Sequence, residues 1–193
     1  PLPIGMVDVL LASASQRRAA MLEERGFTII QKPLRARERP HRHGLSVSEQ
    51  VTNTLEGKIE SALRELSEPL IVVADTLVED PDDPLQPLGQ PKDRHEALSM
   101  LLRLSGRNHR VWTGTALIEN GTTMSWSGYS TVAIDVLDDE VLEALIVSGS
   151  WRGKAGGYDF AGAMAQFASI VEGSEETVLG LVPDIFQALQ SRC

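Results

Sequence analysis

The sequence predicts an α/β protein: a twisted mixed sheet flanked by helices, folded as two lobes around a central cleft or as one domain with a sizeable core. Three observations carry the prediction. Short runs of branched apolar residues alternate with stretches whose apolar positions recur at helical spacing. Asn120-Gly121 stands between two such runs, a strong hairpin signal that brings antiparallel pairing. The chain has 193 residues, 42% of them hydrophobic, long enough for either arrangement.

The elements follow in order. Val7–Ala12 reads as a buried strand, and Gln16–Arg25 as a helix closed by Gly26. Phe27–Ile30 is a short strand, and Arg35–Gly44 a polar loop punctuated by proline and glycine. Ser46 and Glu49 form a capping box, behind which Val47, Val51, Leu55, Ile59, Ala62, Leu63 and Leu66 mark one face of a long helix. Leu70–Ala74 is the clearest buried strand and ends in Asp75-Thr76. Glu79–Pro91, with four prolines among acidic residues, reads as an irregular excursion. Asp93 and Glu96 open a helix with Ala97, Leu98, Leu101 and Leu102 on one face and Gly106 as its stop. Arg110–Ile118 and Met124–Val136 are the strands around the hairpin turn. Asp138–Val147 is a short amphipathic helix stopped by Gly149, and Gly153–Gly162 is too rich in glycine for a regular element. Phe167–Val171 is a last strand, and Pro183–Gln190 a closing helix with proline near its first turn. No repeat or change of composition divides the chain.

A net charge of −9 repels polyanions, which argues against a nucleic-acid polymer as partner while leaving room for a small phosphorylated ligand in a locally positive pocket. No apolar run approaches the roughly 20 residues a membrane span needs. Pro1–Asp8 lacks a basic stretch followed by an apolar one, so no leader is visible there. Cys193, the only cysteine, excludes an internal disulfide, and a reducing cytoplasm fits that. His41, His43, His95 and His109 have no ligand spacing and read as ordinary surface residues. Trp112, Trp126 and Trp151 read as core or cleft wall.

Chemistry concentrates where the first strand enters the first helix. Ser13, Ser15, Arg17 and Arg18 sit at a helix N-terminus, whose free N–H groups and dipole favour anions. Ser15 suits the N-cap, but two arginines in a first turn meet the positive end of the dipole. That costs a few tenths of a kcal/mol each unless an anion compensates. A phosphate between them, or a surface arginine pair beside an ordinary cap, accounts equally for the pattern. Asp75 by itself reads as the cap of a turn, or as a carboxylate beyond a strand end that holds a cation or takes a proton from water. Lys58 by itself is a solvent-facing helix lysine.

Leu10-Leu11-Ala12-Ser13-Ala14-Ser15-Gln16-Arg17-Arg18 resembles the opening signature of the Maf family of nucleotide pyrophosphatases, with Gln16 in place of proline. Ala74-Asp75-Thr76 resembles its Ala-Asp-Thr element. Gly89-Gln90-Pro91-Lys92-Asp93 is similar to its Gly-Lys-Pro-Lys-Asp, with Gln90 at the first lysine. Lys154-Ala155-Gly156-Gly157-Tyr158 is similar to Lys-Ala-Gly-Ala-Tyr, and Ala161 stands where the family has a glutamine associated with choice of base. Leu104–His109, Val111–Gly114 and Gly180–Pro183 carry the likeness onward, so it runs from about Val7 to about Leu189.

The resemblance implies a Maf/ITPase-like fold, residues 1–193 forming a single domain of two lobes. It implies attack of a metal-activated water on the α-phosphorus of a nucleoside triphosphate, giving a monophosphate and pyrophosphate and cleansing the nucleotide pool. Asp75 would be the catalytic acid/base, with Lys58 and Lys92 beside it. Ser13, Ser15, Arg17, Arg18, Thr76, Gln90, Lys154 and Ala161 would face the substrate. Glu38 and Asp75 would hold a divalent cation, Mg2+ first and Mn2+ second, although Glu38 also fits a solvated charged loop with Arg35, Arg37 and Arg39. A cytoplasmic enzyme, and a homodimer as partner state, agree with the resemblance. Gln90 and Ala161 keep a second reading open: a nucleotide-binding regulator of cell division that turns nothing over.

Overall fold

Period-two alternation along one long strand decides which helix covers which face of the sheet. In the computed structural model, which describes residues 7–193, this strand is Leu70–Asp80. Its Leu70, Val72 and Ala74 pack with Ala19, Met21 and Leu22 of helix Gln16–Glu24 and with Ile185 and Leu189 of helix Asp184–Gln190. The intervening Ile71 and Val73 pack on the other face against Leu55 and Ala62 of helix Val47–Glu65. Each fully buried aliphatic side chain contributes about 1.5–3 kcal/mol, so both helices are fixed by the same alternation.

In chain order the elements are β1 (Val9–Leu11), α1 (Gln16–Glu24), β2 (Ile29–Gln31), α2 (Val47–Glu65), β3 (Leu70–Asp80), β4 (Asp83–Leu88) and α3 (Arg94–Leu104). There follow β5 (Asn108–Glu119), β6 (Thr122–Ile134), α4 (Asp139–Ser148), β7 (Ala168–Glu172), α5 (Glu175–Leu179) and α6 (Asp184–Gln190). The sheet has seven strands in the order β2-β1-β3-β5-β6-β7, with β4 paired to β3. β1 runs parallel to β2 and β3, and the other pairings are antiparallel. The expected mixed α/β class is the one observed. A further apolar cluster brings together Met100, Leu101 and Leu104 of α3, Leu142 and Leu145 of α4, and Val132 and Ile134 of β6. Among the described residues no helix is long and apolar enough to cross a membrane. The reading of Pro1–Asp8 as free of a leader falls mostly on residues 1–6, which lie outside the described residues.

Local signals explain most boundaries. Ser46 and Glu49 make the reciprocal capping box at the head of α2. Asp93 and Asp138 cap α3 and α4. Asn120 and Gly121 take positive φ values of 47° and 82°, as the tight turn between β5 and β6 requires.

Four expectations are corrected. Asp75 does not close its strand: β3 continues to Asp80, because β5 pairs with it from Leu70 through Val78. Glu79–Pro91 is not wholly irregular, since β4 folds back on β3; it is an edge strand, where Pro84 and Pro87 are tolerated. On α3 the apolar face includes Met100 and Leu104 but not Leu102, which is 57% exposed. His109 is not at the surface. It is 3% exposed, its Nε2 lies 2.7 Å from the Tyr158 hydroxyl, and the two rings meet edge to face. The short helix α5 has no counterpart in the sequence reading.

Burial pushes the His109 pKa from 6.5 down to about 4. The unfolded chain therefore takes up a proton below about pH 6.5 that the folded chain refuses until about pH 4. Stability contributed by neutral His109 is present above pH 6.5 and is lost as pH falls to about 4, on the order of 3 kcal/mol. Urea unfolding at pH 7 and pH 4.5 measures this, and the pH dependence is expected to flatten in His109→Gln.

Candidate active site

Two neighbours of β3 share one of its edges and leave a gap between them. β1 ends opposite Val72, and β4, running the other way, ends with Leu88 opposite Val78. The intervening stretch of β3 has no strand neighbour on that side, and a cleft opens there. Ligands in α/β sheets bind where strands diverge in this way, here beyond the carboxyl end of β1 rather than of β3. The cleft has two hollows, one of about 660 Å³ that reaches Asp75 and is called inner, and one of about 440 Å³ called outer. Ser15, Arg17, Arg18, Glu38, Lys58 and Gln90 line both.

Asp75 and Thr76 point to opposite faces of β3, so each meets a different helix. Asp75 lies on the α2 face. Its Oδ1 accepts a hydrogen bond from Lys58 Nζ at 2.9 Å, and Lys58 also bridges to Glu38 Oε1 at 2.8 Å and to the Ala74 carbonyl at 3.2 Å. That carbonyl belongs to the strand-free edge, so the ammonium takes the place of a missing ladder donor. Gly114, opposite Asp75 on β5, lets α2 come close: a Cβ there would lie 3.0 Å from Leu55 and 3.2 Å from Val51. Asp75 is 6% exposed, and its Oδ2 is buried with no hydrogen-bond partner. Burial raises the Asp75 pKa, Lys58 pulls it down, and Glu38 adds to the rise; the net direction is upward. Burial acts in the same sense on Glu38, but Lys58, aided by Arg18 and His41, holds that carboxyl below its ordinary value.

Thr76 faces α1. Arg18 donates from Nη2 to Thr76 Oγ1 at 3.0 Å, from Nη1 to Ser13 Oγ at 3.1 Å and from Nε to the Gly180 carbonyl at 2.8 Å. Thr76 and Thr113 hydroxyls are 2.8 Å apart, and Thr113 donates to the Thr177 carbonyl at 2.7 Å. The single Thr113 proton is thereby used, so Thr76 donates to Thr113 and accepts from Arg18. Burial pushes the Arg18 pKa down to about 10, against the pull of Asp75, leaving it charged at neutral pH. Ser15 caps α1 by accepting from the Arg18 N–H at 3.3 Å, and Gln31 fixes the preceding turn by donating to the Ser13 and Ser15 carbonyls. Arg17 lies 3.6 Å from Asp159, beyond hydrogen-bond reach, and the Asp159 Oδ1 is buried without a hydrogen bond. The two first-turn arginines thus have different surroundings: one is held by three neutral groups, the other loosely matched to a carboxylate.

Lys92 is exposed on the inner hollow, and Gln90 is exposed at the junction. Lys154 lines the outer hollow and donates to the Arg152 carbonyl at 3.4 Å. It arrives on the turn Ala155–Gly157, where Gly156 has φ 74° and a Cβ would lie 2.8 Å from Val78. Gly156 also donates its N–H to the Gly89 carbonyl at 3.1 Å, tying this turn to the one that carries Gln90. Ala161 is exposed and lines neither hollow. Arg37, Arg152, Thr113, Thr177 and Asp159 were not singled out by the sequence. Long-range pairing alone brings them here, and only the basic character of the loop around Arg37 gave a signal.

Among the described residues no group of three or more His, Cys, Asp and Glu is arranged to hold a metal ion. Asp75 and Glu38 nevertheless suit a hard divalent cation that takes its remaining oxygens from phosphate and water. The partnerless Asp75 Oδ2 is the observation that fits such an ion.

These features define an α/β protein with a cationic cleft built around one buried carboxylate. The family model described as Maf-like protein matches residues 8–191, and the chain belongs to that family. Over 192 residues it is 32% identical to the dTTP/UTP pyrophosphatase of Bdellovibrio bacteriovorus, covering 95% of this chain and 97% of the relative. It is 34% identical over 196 residues to the dTTP/UTP pyrophosphatase of Granulibacter bethesdensis, covering 93% of this chain and 90% of the relative. Among solved structures it is similar to the Ham1 protein of Staphylococcus aureus, with 13% identity, a TM-score of 0.45, and coverage of 66% of this chain and 71% of the other.

Thr113→Val is expected to leave the Thr177 carbonyl without its donor and Thr76 without its acceptor. Urea denaturation should record a loss of about 1–3 kcal/mol, with Thr113→Ser close to the parent protein.

Proposed function

We propose that this protein hydrolyses a nucleoside triphosphate to the monophosphate and pyrophosphate. The observation that carries the reading is Asp75: a buried carboxylate with its pKa raised and one oxygen unpartnered, lining a cleft rich in cations. A base of raised proton affinity suits the removal of a proton from attacking water near neutral pH. Lys58 keeps Asp75 in place and presents positive charge beside it. Arg18, pinned by three neutral partners, is a fixed guanidinium at the head of α1, where charge developing on phosphoryl oxygens meets both it and the free N–H groups of the first turn. Arg17 and Lys92 are the mobile counterparts. Lys154 contributes at the rim.

Glu38 and Asp75 are the residues that would hold a divalent cation, Mg2+ or Mn2+. Such an ion, when bound, neutralises phosphate charge and lowers the pKa of water. The names of the relatives make dTTP and UTP the first triphosphates to test. Ala161, away from the cleft, is not assigned a contact with the base. Pool cleansing in the cytoplasm is the cellular role proposed.

Incubation with Mg2+ and a panel of triphosphates, followed by a pyrophosphate assay, tests the reading; no release from any of them would overturn it. Asp75→Asn is expected to lower kcat by about 10²- to 10⁴-fold. The acid limb of the kcat profile should lie above the ordinary aspartate value of about 3.9, because protonated Asp75 cannot accept the proton. Glu38→Gln should raise the Mg2+ concentration needed for half-maximal rate.

A further inference from the structure

The half-buried cations of the cleft are largely committed to the protein itself. Arg18 is held by Ser13, Thr76 and Gly180, Lys58 by Asp75, Glu38 and Ala74, and Arg17 lies beside Asp159. Two arginines on the outer hollow are in a different state. Among the described residues, Arg37 makes no side-chain hydrogen bond or ion pair, and Arg152 has only the Trp151 ring, 4.8 Å from its guanidinium carbon. They come from segments far apart in the chain, one between β2 and α2 and the other after α4, yet they line the same 440 Å³ hollow. Its charged lining is Arg17, Arg18, Arg37, Lys58, Arg152 and Lys154 against one carboxylate, Glu38, on a chain of net charge −9. So concentrated a positive field on an acidic protein raises the local concentration of small anions. The inner hollow is more nearly balanced: Arg17, Arg18, Lys58, Lys92 and Arg103 are set against Glu38, Asp75 and Glu96, and Leu77, Leu88, Met100 and Leu179 add apolar surface.

We infer that Arg37 and Arg152 form a clamp for the pyrophosphate end of the substrate, which fixes the direction in which the nucleotide lies. This rests on the triphosphate reading above. Asp75 lines the inner hollow only, whereas Arg17, Arg18, Lys58 and Glu38 border both. The reacting phosphorus belongs at that junction, the sugar and base in the inner hollow, where three carboxylates offset the cations, and the two departing phosphates beside Arg37 and Arg152, which have no polar partner. Water adds to the α-phosphorus as its bond to the bridging oxygen breaks. The water's proton passes to Asp75, and the bridging oxygen leaves with pyrophosphate, whose negative charge Arg37 and Arg152 receive. An arginine with no polar protein partner can turn its whole guanidinium fork to the departing group, whereas Arg18 has three donors already engaged.

Inorganic pyrophosphate and uridine monophosphate, titrated separately by calorimetry into Arg37→Gln, Arg152→Gln and the double variant, test the clamp. Both arginines are exposed, so the variants are expected to keep the parent's melting temperature. Pyrophosphate should bind about tenfold more weakly to each single variant and about a hundredfold more weakly to the double, with monophosphate binding unchanged within about twofold. Adding Gln90→Lys to the double variant should recover about tenfold for pyrophosphate, which repair of a folding defect would not do, because Gln90 borders the same hollow. Unchanged pyrophosphate binding in the double variant, or a parallel loss for the monophosphate, overturns the clamp. If the parent protein releases pyrophosphate from triphosphates while either result holds, the clamp fails and the reaction stands. Weakened pyrophosphate binding together with no turnover of any triphosphate means that the anion site stands and the reaction fails.

Discussion

A carboxylate in the middle of a β-strand has few ways to remain ionised, and the one available to Asp75 organises the cleft. An isolated carboxylate in a dry interior is costly enough that it ordinarily takes up a proton instead. Lys58 meets it at 2.9 Å and is itself shared with Glu38, so a single ammonium compensates two acids and also satisfies a carbonyl on the bare edge of β3. For Lys58 to reach, α2 has to lie close on the sheet, which the absence of a side chain at Gly114 permits. The loop carrying Glu38 is held from the same side, since Arg39 lies 2.8 Å from Glu60 of α2. Fold and chemistry are linked through the distance between one helix and one strand.

The same alternation that builds the core sorts the polar groups. Even-numbered positions of β3 face α1, and odd-numbered positions face α2, first for packing and then for chemistry. At residues 70–74 the consequence is two apolar layers. At 75 and 76 it is a base on one side and a hydroxyl that buttresses an arginine on the other. Buried networks of this kind hold their members rigidly when every partner is present. Arg18 therefore acts as a fixed point, and the adaptable charge lies with residues that have weaker protein contacts.

Much of this was legible in the sequence, and for identifiable reasons. Caps and tight turns are local chemistry, so Ser46 with Glu49 and Asn120 with Gly121 marked their elements closely. The strand-to-helix junction at Ser13–Arg18 was visible because its charges contradict the helix dipole. What stayed hidden depended on distant pairing. β4 was obscured by prolines that only an edge position accommodates. The length of β3 was hidden because Asp75 and Thr76 break the apolar run that betrays a buried strand. His109 looked like any polar residue until Tyr158, 49 positions away, closed over it. Thr113 and Thr177 carried no signal at all, since a threonine in a strand is ordinary until its neighbours are known.

The hydroxyl chain from Arg18 to the Thr177 carbonyl gives the cleft a polarity that shape alone would not reveal. Since Thr76 spends its only hydrogen on Thr113, it offers the cleft nothing but a lone pair. Whatever comes to rest against it must bring its own proton. A ribose hydroxyl qualifies, and a bare phosphoryl oxygen would meet repulsion at that spot.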